Sequence, residues 1–131
     1  MIERLAIDAN AAIDLMRADR VDPAPIAEAR AIHLPLPVLG ELFTGAVSSK
    51  RPNAHISEIE ESLKTWRVIE PNVMTARIYG ELRARIRTVQ TVSMSKLNDL
   101  WIAALCLQHN LPLLTNDRGF DHISGLTVIH W

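Results

Sequence analysis

Cysteine is nearly absent from this sequence, which has one, Cys106, in 131 residues. A single thiol excludes an internal disulfide framework and argues against a structural zinc site. Cys106 lies in the apolar run Leu100–Leu107, where a cysteine is most often a small core residue. A reducing compartment is therefore the simple expectation, and we predict a cytoplasmic protein.

Long apolar runs are missing as well. The run Leu100–Leu107 is too short to cross a bilayer, which requires roughly 20 apolar residues. Glu3 and Asp8 interrupt any apolar core near the start, so the sequence does not predict a signal peptide. We expect a soluble protein with one domain over residues 1–131, a length that can bury a sizeable core.

The sequence has no excess of one charge, since 14 Lys and Arg residues nearly balance 15 Asp and Glu residues. A net charge of −1 does not by itself indicate a nucleic-acid binder. The distribution is more informative, because between Arg77 and Lys96 the only acid is Glu81. The bases of this segment, which we expect to attract phosphate groups, are Arg77, Arg83, Arg85, Arg87 and Lys96. Alternate helix positions lie about 200° apart, so Arg83, Arg85 and Arg87 cannot all share one face.

Several catalytic and cofactor motifs are also absent. The glycines form neither a dinucleotide-binding pattern nor a phosphate-binding loop, and no serine lies in a nucleophile elbow. The five histidines include no pair at the spacing that ligates a metal from one helix face. The three tryptophans are more often core or interface residues than stacking platforms for bases.

Short apolar segments alternate with helical patterns along the chain. This alternation predicts an α/β fold with a parallel sheet covered on both faces. The predicted strands are Leu5–Ile7, Ala31–Leu34, Arg67–Glu70, Leu113–Thr115 and Leu126–Ile129. The predicted helices are Ala11–Met16, Pro25–Arg30, Val38–Ser48, Ala54–Trp66, Val73–Val89 and Ser95–His109.

Two acids follow predicted strands directly. Asp8 comes after Leu5–Ile7, and Asp117 comes two residues after Leu113–Thr115. Carboxyl ends of parallel strands meet at one edge of a sheet, where ligands bind in open α/β folds. Asp8 can instead be an ordinary cap of the helix that follows it, and both interpretations stay open.

Two further acids have unusual positions on helices. Asp99 lies near the start of the predicted helix Ser95–His109, where free N–H groups favour a negative charge. Glu41 lies opposite the apolar sector of its helix, which leaves open that it simply faces water. Ser95 is the predicted cap of the later helix.

Four carboxylates in a small space repel one another and protonate in part unless a cation is present. Mg²⁺ takes oxygen ligands, and Asn10 and Asn116 can hold surrounding waters or substrate oxygens. Such a site suits phosphodiester hydrolysis, in which one metal activates water and a second can stabilise the leaving oxygen. The sequence leaves open whether one or two ions bind.

These residues, in this order, resemble a PIN-domain protein, and in particular the VapC-type toxins of bacterial toxin–antitoxin pairs. The segments that carry the resemblance are Leu5–Asn10, Leu39–Ala46, Leu97–Ala104, Leu114–Phe120 and Gly125–Val128. The resemblance implies a three-layer α/β/α sandwich, Mg²⁺- or Mn²⁺-dependent endoribonuclease activity, a cognate antitoxin and a homodimer. It also implies roles for individual residues: the catalytic acids are Asp8, Glu41, Asp99 and Asp117, with Asp8, Asp99 and Asp117 as metal ligands. Glu41 then holds metal or orients water. From the basic segment described above, we predict that the RNA contacts are Arg83, Arg87 and Lys96.

The sequence departs from the family pattern near the predicted site. Ala9 stands where the family often has a hydroxyl residue, and the stretch Thr88–Ser93 lacks the usual glycine. Asp121 adds a fifth acid, which either supports the site or faces solvent, and we expect solvent. These departures keep open a catalytically weak RNA- or protein-binding module of the same fold. A DNA nuclease of the same mechanism is also open, whereas a phosphate-accepting signalling domain lacks its paired acids and its lysine.

Overall fold

The structure, a computed structural model, describes residues 3–17, 26, 31–87 and 94–131. The strands are β1 Arg4–Ile7, β2 Ala31–Pro35, β3 Arg67–Ile69, β4 Leu113–Leu114 and β5 Val128–Ile129. The helices are α1 Ala9–Arg17, α2 Leu36–Val47, α3 Pro52–Ser62, α4 Val73–Arg87 and α5 Met94–Gln108, with a 3-10 helix over Arg118–His122. The predicted helix Pro25–Arg30 and the stretch Thr88–Ser93 lie outside the described residues, apart from residue 26.

The described strands form one five-stranded sheet in the order β3-β2-β1-β4-β5, and all four pairings are parallel. The chain moves outward from β1 through β2 to β3 and then returns to β4 on the other side of β1. The topological switch point therefore lies between β1 and β4, where Ile7 pairs with Leu114. Open α/β sheets bind ligands at the carboxyl ends of strands at such a point.

The centre of the sheet is fully buried. Leu5, Ala6 and Ile7 of β1 and Leu113 and Leu114 of β4 have no exposed surface. Strands with no alternation of apolar and polar residues are typical of a parallel sheet covered on both faces. Helix α2 packs against α1 and α3, while α4 packs against α5, and together with the sheet they form the predicted α/β/α sandwich.

Two local features differ from the sequence prediction. Helix α2 begins at Leu36 rather than Val38, because Pro37 fits the first turn of a helix, where no N–H partner is lost. The segment after Asn116 is not only a polar turn, because Arg118–His122 forms a 3-10 helix. Asp117 begins this helix by accepting a hydrogen bond from Gly119 N, at 2.8 Å.

Cys106 is a core residue, as the sequence predicts. Cys106 is fully buried, and burial raises the pKa of its thiol to about 12, which leaves it unreactive. Trp101 stacks on Tyr79 with 4.1 Å between ring centroids, joining α5 to α4. No helix in the described parts of the chain is long and apolar enough to span a membrane.

Replacement of Leu114 by alanine tests the importance of the switch point for stability. Because Leu114 is fully buried between β1 and β5, we expect Leu114→Ala to lower the free energy of unfolding by about 3 kcal/mol. The matched control is Val47→Ala, since Val47 is 63% exposed. Urea unfolding followed by circular dichroism measures both, and an equal effect of the two variants would contradict this account.

Candidate active site

Asp8 has two partners at the carboxyl end of β1. Its Oδ1 accepts a hydrogen bond from Ala11 N at 2.9 Å, which caps helix α1. Its Oδ2 accepts a hydrogen bond from the Thr115 hydroxyl. Asp8 can therefore be both a helix cap and a member of a ligand site, because Oδ1 caps α1 while Oδ2 faces the end of β4. A carboxylate oxygen has two lone pairs, so capacity for a further ligand remains on each.

Asp8 is also in an environment that disfavours its charge. Its side chain is buried, and burial is the main cause that raises the pKa of this carboxyl, followed by repulsion from Asp117 and Asp14. The hydrogen bonds from Thr115 and Ala11 act in the opposite direction and lower that pKa.

Thr115 connects two of the acids. It is fully buried, its hydroxyl donates to Asp8, and the same oxygen accepts a hydrogen bond from Asp117 N at 3.0 Å. Asp117 is exposed, and its Oδ1 accepts the hydrogen bond from Gly119 N that begins the 3-10 helix. The two strand-end acids thus share Thr115 as a support.

Glu41 is exposed on α2, but its carboxylate does not point into bulk water. Oε1 accepts a hydrogen bond from the Asn98 side chain of α5. Partial burial raises the pKa of Glu41, as does the charge of Asp8, whereas the bond from Asn98 lowers it. Glu41 therefore faces the end of β1 rather than solvent alone.

The pKa of Asp99 is strongly raised by its surroundings. Burial, followed by repulsion from Asp117 and Glu41, raises the pKa of Asp99 to about 6. Asp8 adds a smaller effect in the same direction. The structure thus brings the four predicted acids to one edge of the sheet, where their charges interact in pairs.

One base lies among these acids. Lys96 stands one turn before Asp99 on α5, and its charge lowers the pKa of Asp99. A Cβ atom at Gly119 would lie 3.0 Å from Asp117 Oδ1 and 3.1 Å from Lys96 Nζ, so the ammonium group also lies near Asp117. The absence of a side chain at Gly119 permits this approach.

The donor set fits a hard cation in its chemistry, because all four predicted side chains offer carboxylate oxygens whose mutual repulsion a cation would relieve. The side chains are not preassembled, however: in the parts of the chain that are described, no three Asp, Glu, His or Cys residues are grouped closely enough to hold a metal ion. The assignment of Asp8, Asp99 and Asp117 as metal ligands therefore stays a prediction.

The other predicted residues differ in their surroundings. Asn10 is exposed in the first turn of α1, and Asn116 is exposed between Thr115 and Asp117. Arg83 is exposed on α4 and donates a hydrogen bond to the Tyr79 hydroxyl at 3.3 Å. Arg87 is the last residue of α4, and its side chain lies outside the described part, as does that of Ser95. Their assigned roles stay predictions.

Asp121 is exposed, as expected from the sequence, and it also has two basic neighbours. Its Oδ1 lies 2.8 Å from His130 Nε2, and its Oδ2 lies 3.7 Å from a guanidinium nitrogen of Arg118. Sequence reasoning could not find this pair, because His130 follows β5 and the contact depends on the pairing of β5 with β4.

Two supporting residues were not singled out from the sequence. They are Thr115, which bonds Asp8, and Asn98, which bonds Glu41. Each stands close in sequence to a different acid, Asp117 or Asp99, so proximity along the chain was the only available signal. Their actual partners come from other elements of the fold.

A groove of about 250 Å³ begins beside Glu41 and runs between α1, α2 and α3. Its walls are mostly apolar, and the Glu58 carboxylate lies at the α3 side. The apolar residues that line it are Ala9, Ile13, Met16, Leu42, Ala46 and Ile59.

Comparison with known proteins shows the family to which this chain belongs. Residues 5–126 match the sequence pattern of the PIN domain. The chain belongs to the PIN domain family. All four predicted acids of this PIN domain lie within the matched residues, and the predicted family is confirmed.

Individual relatives agree with the family. The PIN domain is 26% identical over 93 residues to Ribonuclease VapC5 of Mycobacterium tuberculosis, covering 70% of this chain and 67% of that protein. Its fold is similar to VapBC of Salmonella typhimurium, solved bound to DNA, with a TM-score of 0.83, 22% identity and coverage of 100% of this chain and 99% of that one. It is also similar to VapBC-5 of Mycobacterium tuberculosis, described as a member of the VapBC family of toxin–antitoxin systems, with a TM-score of 0.72, 21% identity and coverage of 97% and 96%.

The raised pKa of Asp99 predicts a pH-dependent stability of the metal-free protein. A folded-state pKa of about 6, against an ordinary value of 3.8, contributes stability that is fully present below pH 3.8 and lost as pH rises through 6. Asparagine cannot ionise, so we expect Asp99→Asn to be more stable than the parent protein at pH 7 by about 2 kcal/mol. The gain should disappear near pH 4.

Urea unfolding in the presence of a chelator, repeated between pH 4 and 7, measures this difference. Glu81→Gln is the control, because Glu81 is an exposed acid on α4 that pairs with Arg77. A variant Asp99→Asn that is no more stable than the parent protein at pH 7 would contradict the proposed crowding of carboxylates.

Proposed function

We propose that this PIN domain is a Mg²⁺- or Mn²⁺-dependent endoribonuclease, the toxin of a toxin–antitoxin pair. The observation that carries the proposal is the crowding of Asp8, Glu41, Asp99 and Asp117 at the β1–β4 switch point, which raises the pKa of Asp99 to about 6. Acids that destabilise a fold in this way are typical of functional sites. The relative named Ribonuclease VapC5 supports RNA as the substrate.

In this proposal Asp8, Asp99 and Asp117 hold the metal ion. When bound, the ion supplies the positive charge that activates a water molecule and stabilises the negative charge of the phosphate in the transition state. Thr115 keeps Oδ2 of Asp8 oriented, and its bond to Asp117 N fixes the start of the 3-10 helix.

Glu41 orients the attacking water. Its Oε1 accepts a hydrogen bond from the Asn98 side chain, and in this proposal Oε2 accepts a hydrogen bond from the water. Because the pKa of Glu41 is raised, this carboxylate is also a better proton acceptor than an ordinary exposed glutamate.

The RNA backbone is contacted by polar residues around the acids. Asn10 and Asn116 are exposed beside Asp8 and Asp117 and offer amide groups to waters or phosphate oxygens. Lys96 lies among the acids and neutralises part of their charge, and Arg83 is exposed on α4. Arg87, the last residue of α4, is proposed as a further RNA contact. This arrangement lets an acidic site accept a polyanion.

The antitoxin is proposed to place an apolar segment in the groove between α1, α2 and α3. The walls of the groove are mostly apolar and one end lies at Glu41, so its occupant would reach the acids directly. The similarity to VapBC-5, which comes from a family of toxin–antitoxin systems, supports a partner protein. A homodimer, implied by the family resemblance, is also part of this proposal.

Replacement of single acids tests the catalytic role. We expect Asp8→Asn and Asp99→Asn each to lower Mg²⁺-dependent RNA cleavage by at least about a hundredfold, because each loses a charged oxygen ligand while keeping the side-chain volume. Growth arrest on expression should disappear with cleavage. Glu81→Gln is the control for the loss of an acid, and full activity in both Asp variants would refute the assignment.

The groove can be tested at a glycine that has room for a side chain. A Cβ atom at Gly45 meets nothing within 4 Å, so Gly45→Trp should fold and fill the groove that Gly45 lines. We expect this variant to lose copurification with the product of the neighbouring reading frame while it keeps RNA cleavage. Gly80→Trp is the matched control, because Gly80 is equally open but lies on α4. Equal retention of the partner by both variants would contradict the proposed groove.

The second candidate is a catalytically weak RNA- or protein-binding module. It is favoured by Ala9 at the first acid and by the side chains not being preassembled around a cation site in the described residues. A calorimetric titration with Mn²⁺ separates the two functions. Binding that is lost in Asp99→Asn supports the nuclease, whereas no binding at millimolar Mn²⁺ supports the module.

A further inference from the structure

His130 makes two polar contacts beside the acidic site. Its Nδ1 lies 2.6 Å from the carbonyl oxygen of Thr115, and its Nε2 lies 2.8 Å from Oδ1 of Asp121. The side chain is only 20% exposed. The imidazole of His130, which follows β5, thus contacts both Thr115, which follows β4, and Asp121 of the 3-10 helix.

Each ring nitrogen of His130 faces an acceptor. The carbonyl oxygen of Thr115 lies at Nδ1 and the carboxylate of Asp121 lies at Nε2, and both of these groups accept hydrogen bonds. The imidazole therefore bridges two acceptors that belong to different elements of the fold.

These contacts close a ring of interactions around Asp117. Thr115 accepts from Asp117 N through its hydroxyl, Asp117 caps the 3-10 helix, and that helix carries Asp121. Asp121 then returns to Thr115 through His130. The Thr115 hydroxyl that this ring holds is the one that donates to Asp8.

We propose that His130 and Asp121 are positioning residues for the acidic site: they fix Thr115, and through Thr115 they fix Asp8 and Asp117. The name His130 clamp is used below for His130, Asp121 and Thr115. Its catalytic consequence rests on the proposed nuclease function, whereas its effect on the position of Asp117 does not.

The contact of Trp131 with α1 supports the same position for the chain after β5. Trp131 Nε1 donates a hydrogen bond to Asp14 Oδ2 at 3.2 Å. Consecutive residues therefore bind in different directions, His130 towards β4 and Trp131 towards α1. Because the backbone of His130 is held by its neighbour, the imidazole loses less freedom when it binds Thr115.

Amide hydrogen exchange of the metal-free protein tests the clamp without substrate. The reporter is Asp117 N–H, which donates to Thr115 Oγ1, and the reference is Leu113 N–H, which donates to Thr127 O at 2.9 Å in the same strand region. We expect His130→Ala to raise exchange at Asp117 about tenfold, as loss of a partly buried hydrogen bond predicts, with Leu113 unchanged within about twofold.

Conservative variants separate the two contacts of the ring. His130→Asn keeps a donor at the place of Nδ1 but is too short to reach Asp121, so it should accelerate exchange at Asp117 less than His130→Ala and about as much as Asp121→Ala. Asp121→Ala should accelerate exchange, and Asp121→Asn, which keeps an acceptor for Nε2, should not. The two Asp121 variants test the clamp even if His130→Ala does not fold. We expect both to fold, because the Asp121 side chain is 36% exposed.

Three results would overturn the clamp. They are unchanged exchange at Asp117 in His130→Ala or Asp121→Ala, equal acceleration at Asp117 and Leu113, and equal acceleration by His130→Asn and His130→Ala. The second result would mean that His130 only stabilises the fold.

A kinetic measurement links the clamp to catalysis. In Mg²⁺-dependent RNA cleavage, His130→Ala should lower kcat about tenfold and leave KM within about twofold, because the clamp orients the acids and does not bind RNA. A rise in KM with unchanged kcat would make His130 an RNA contact and overturn the positioning role. If the parent protein cleaves no RNA, the nuclease proposal fails, while the exchange measurement still decides the position of Asp117.

Discussion

The hydrogen bond between the Thr115 hydroxyl and Asp8 connects the ends of two strands that are far apart in sequence. It exists because β1 pairs with β4 in register, which sets the residue after Leu114 beside the residue after Ile7. Two further acids of the site lie close to this bond. Asp117 lies where Thr115 Oγ1 accepts its N–H, and Asp99 lies where the start of α5 approaches both acids. The crossover that returns the chain from β3 to β4 is thus the topological cause of the site.

The site is electrostatically unfavourable in the isolated chain. Burial raises the pKa of Asp8, Glu41 and Asp99, and the charges of neighbouring acids raise it further in each case. Thr115, Asn98 and Lys96 offset part of this effect by hydrogen bonding or charge. A core built from fully buried strands supplies the free energy that tolerates such crowding. The carboxylates on which the proposed function depends therefore lower the stability of this edge of the sheet.

The sequence predicted the parallel sheet well, because its strands are short apolar runs that need no alternation when both faces are covered. It also predicted which acids lie at the carboxyl edge, since Asp8 follows β1 directly and Asp117 comes three residues after the end of β4. It could not predict the partners of those acids. Asn98 and Glu41 lie 57 positions apart, and His130 meets Thr115 only through the pairing of β5 with β4. Such contacts depend on register and helix packing, which local patterns do not encode.

Asp8 and Asp117 each begin the helix that follows them, in addition to any role with a ligand. The fold requires an acceptor at these two positions, and asparagine or serine meets that requirement as well as aspartate does. A descendant of this chain could therefore lose the charge of either residue and keep the complete architecture. The fold can therefore persist in a descendant that has lost a charged ligand of the site. The shape of such a domain does not depend on whether the domain is active.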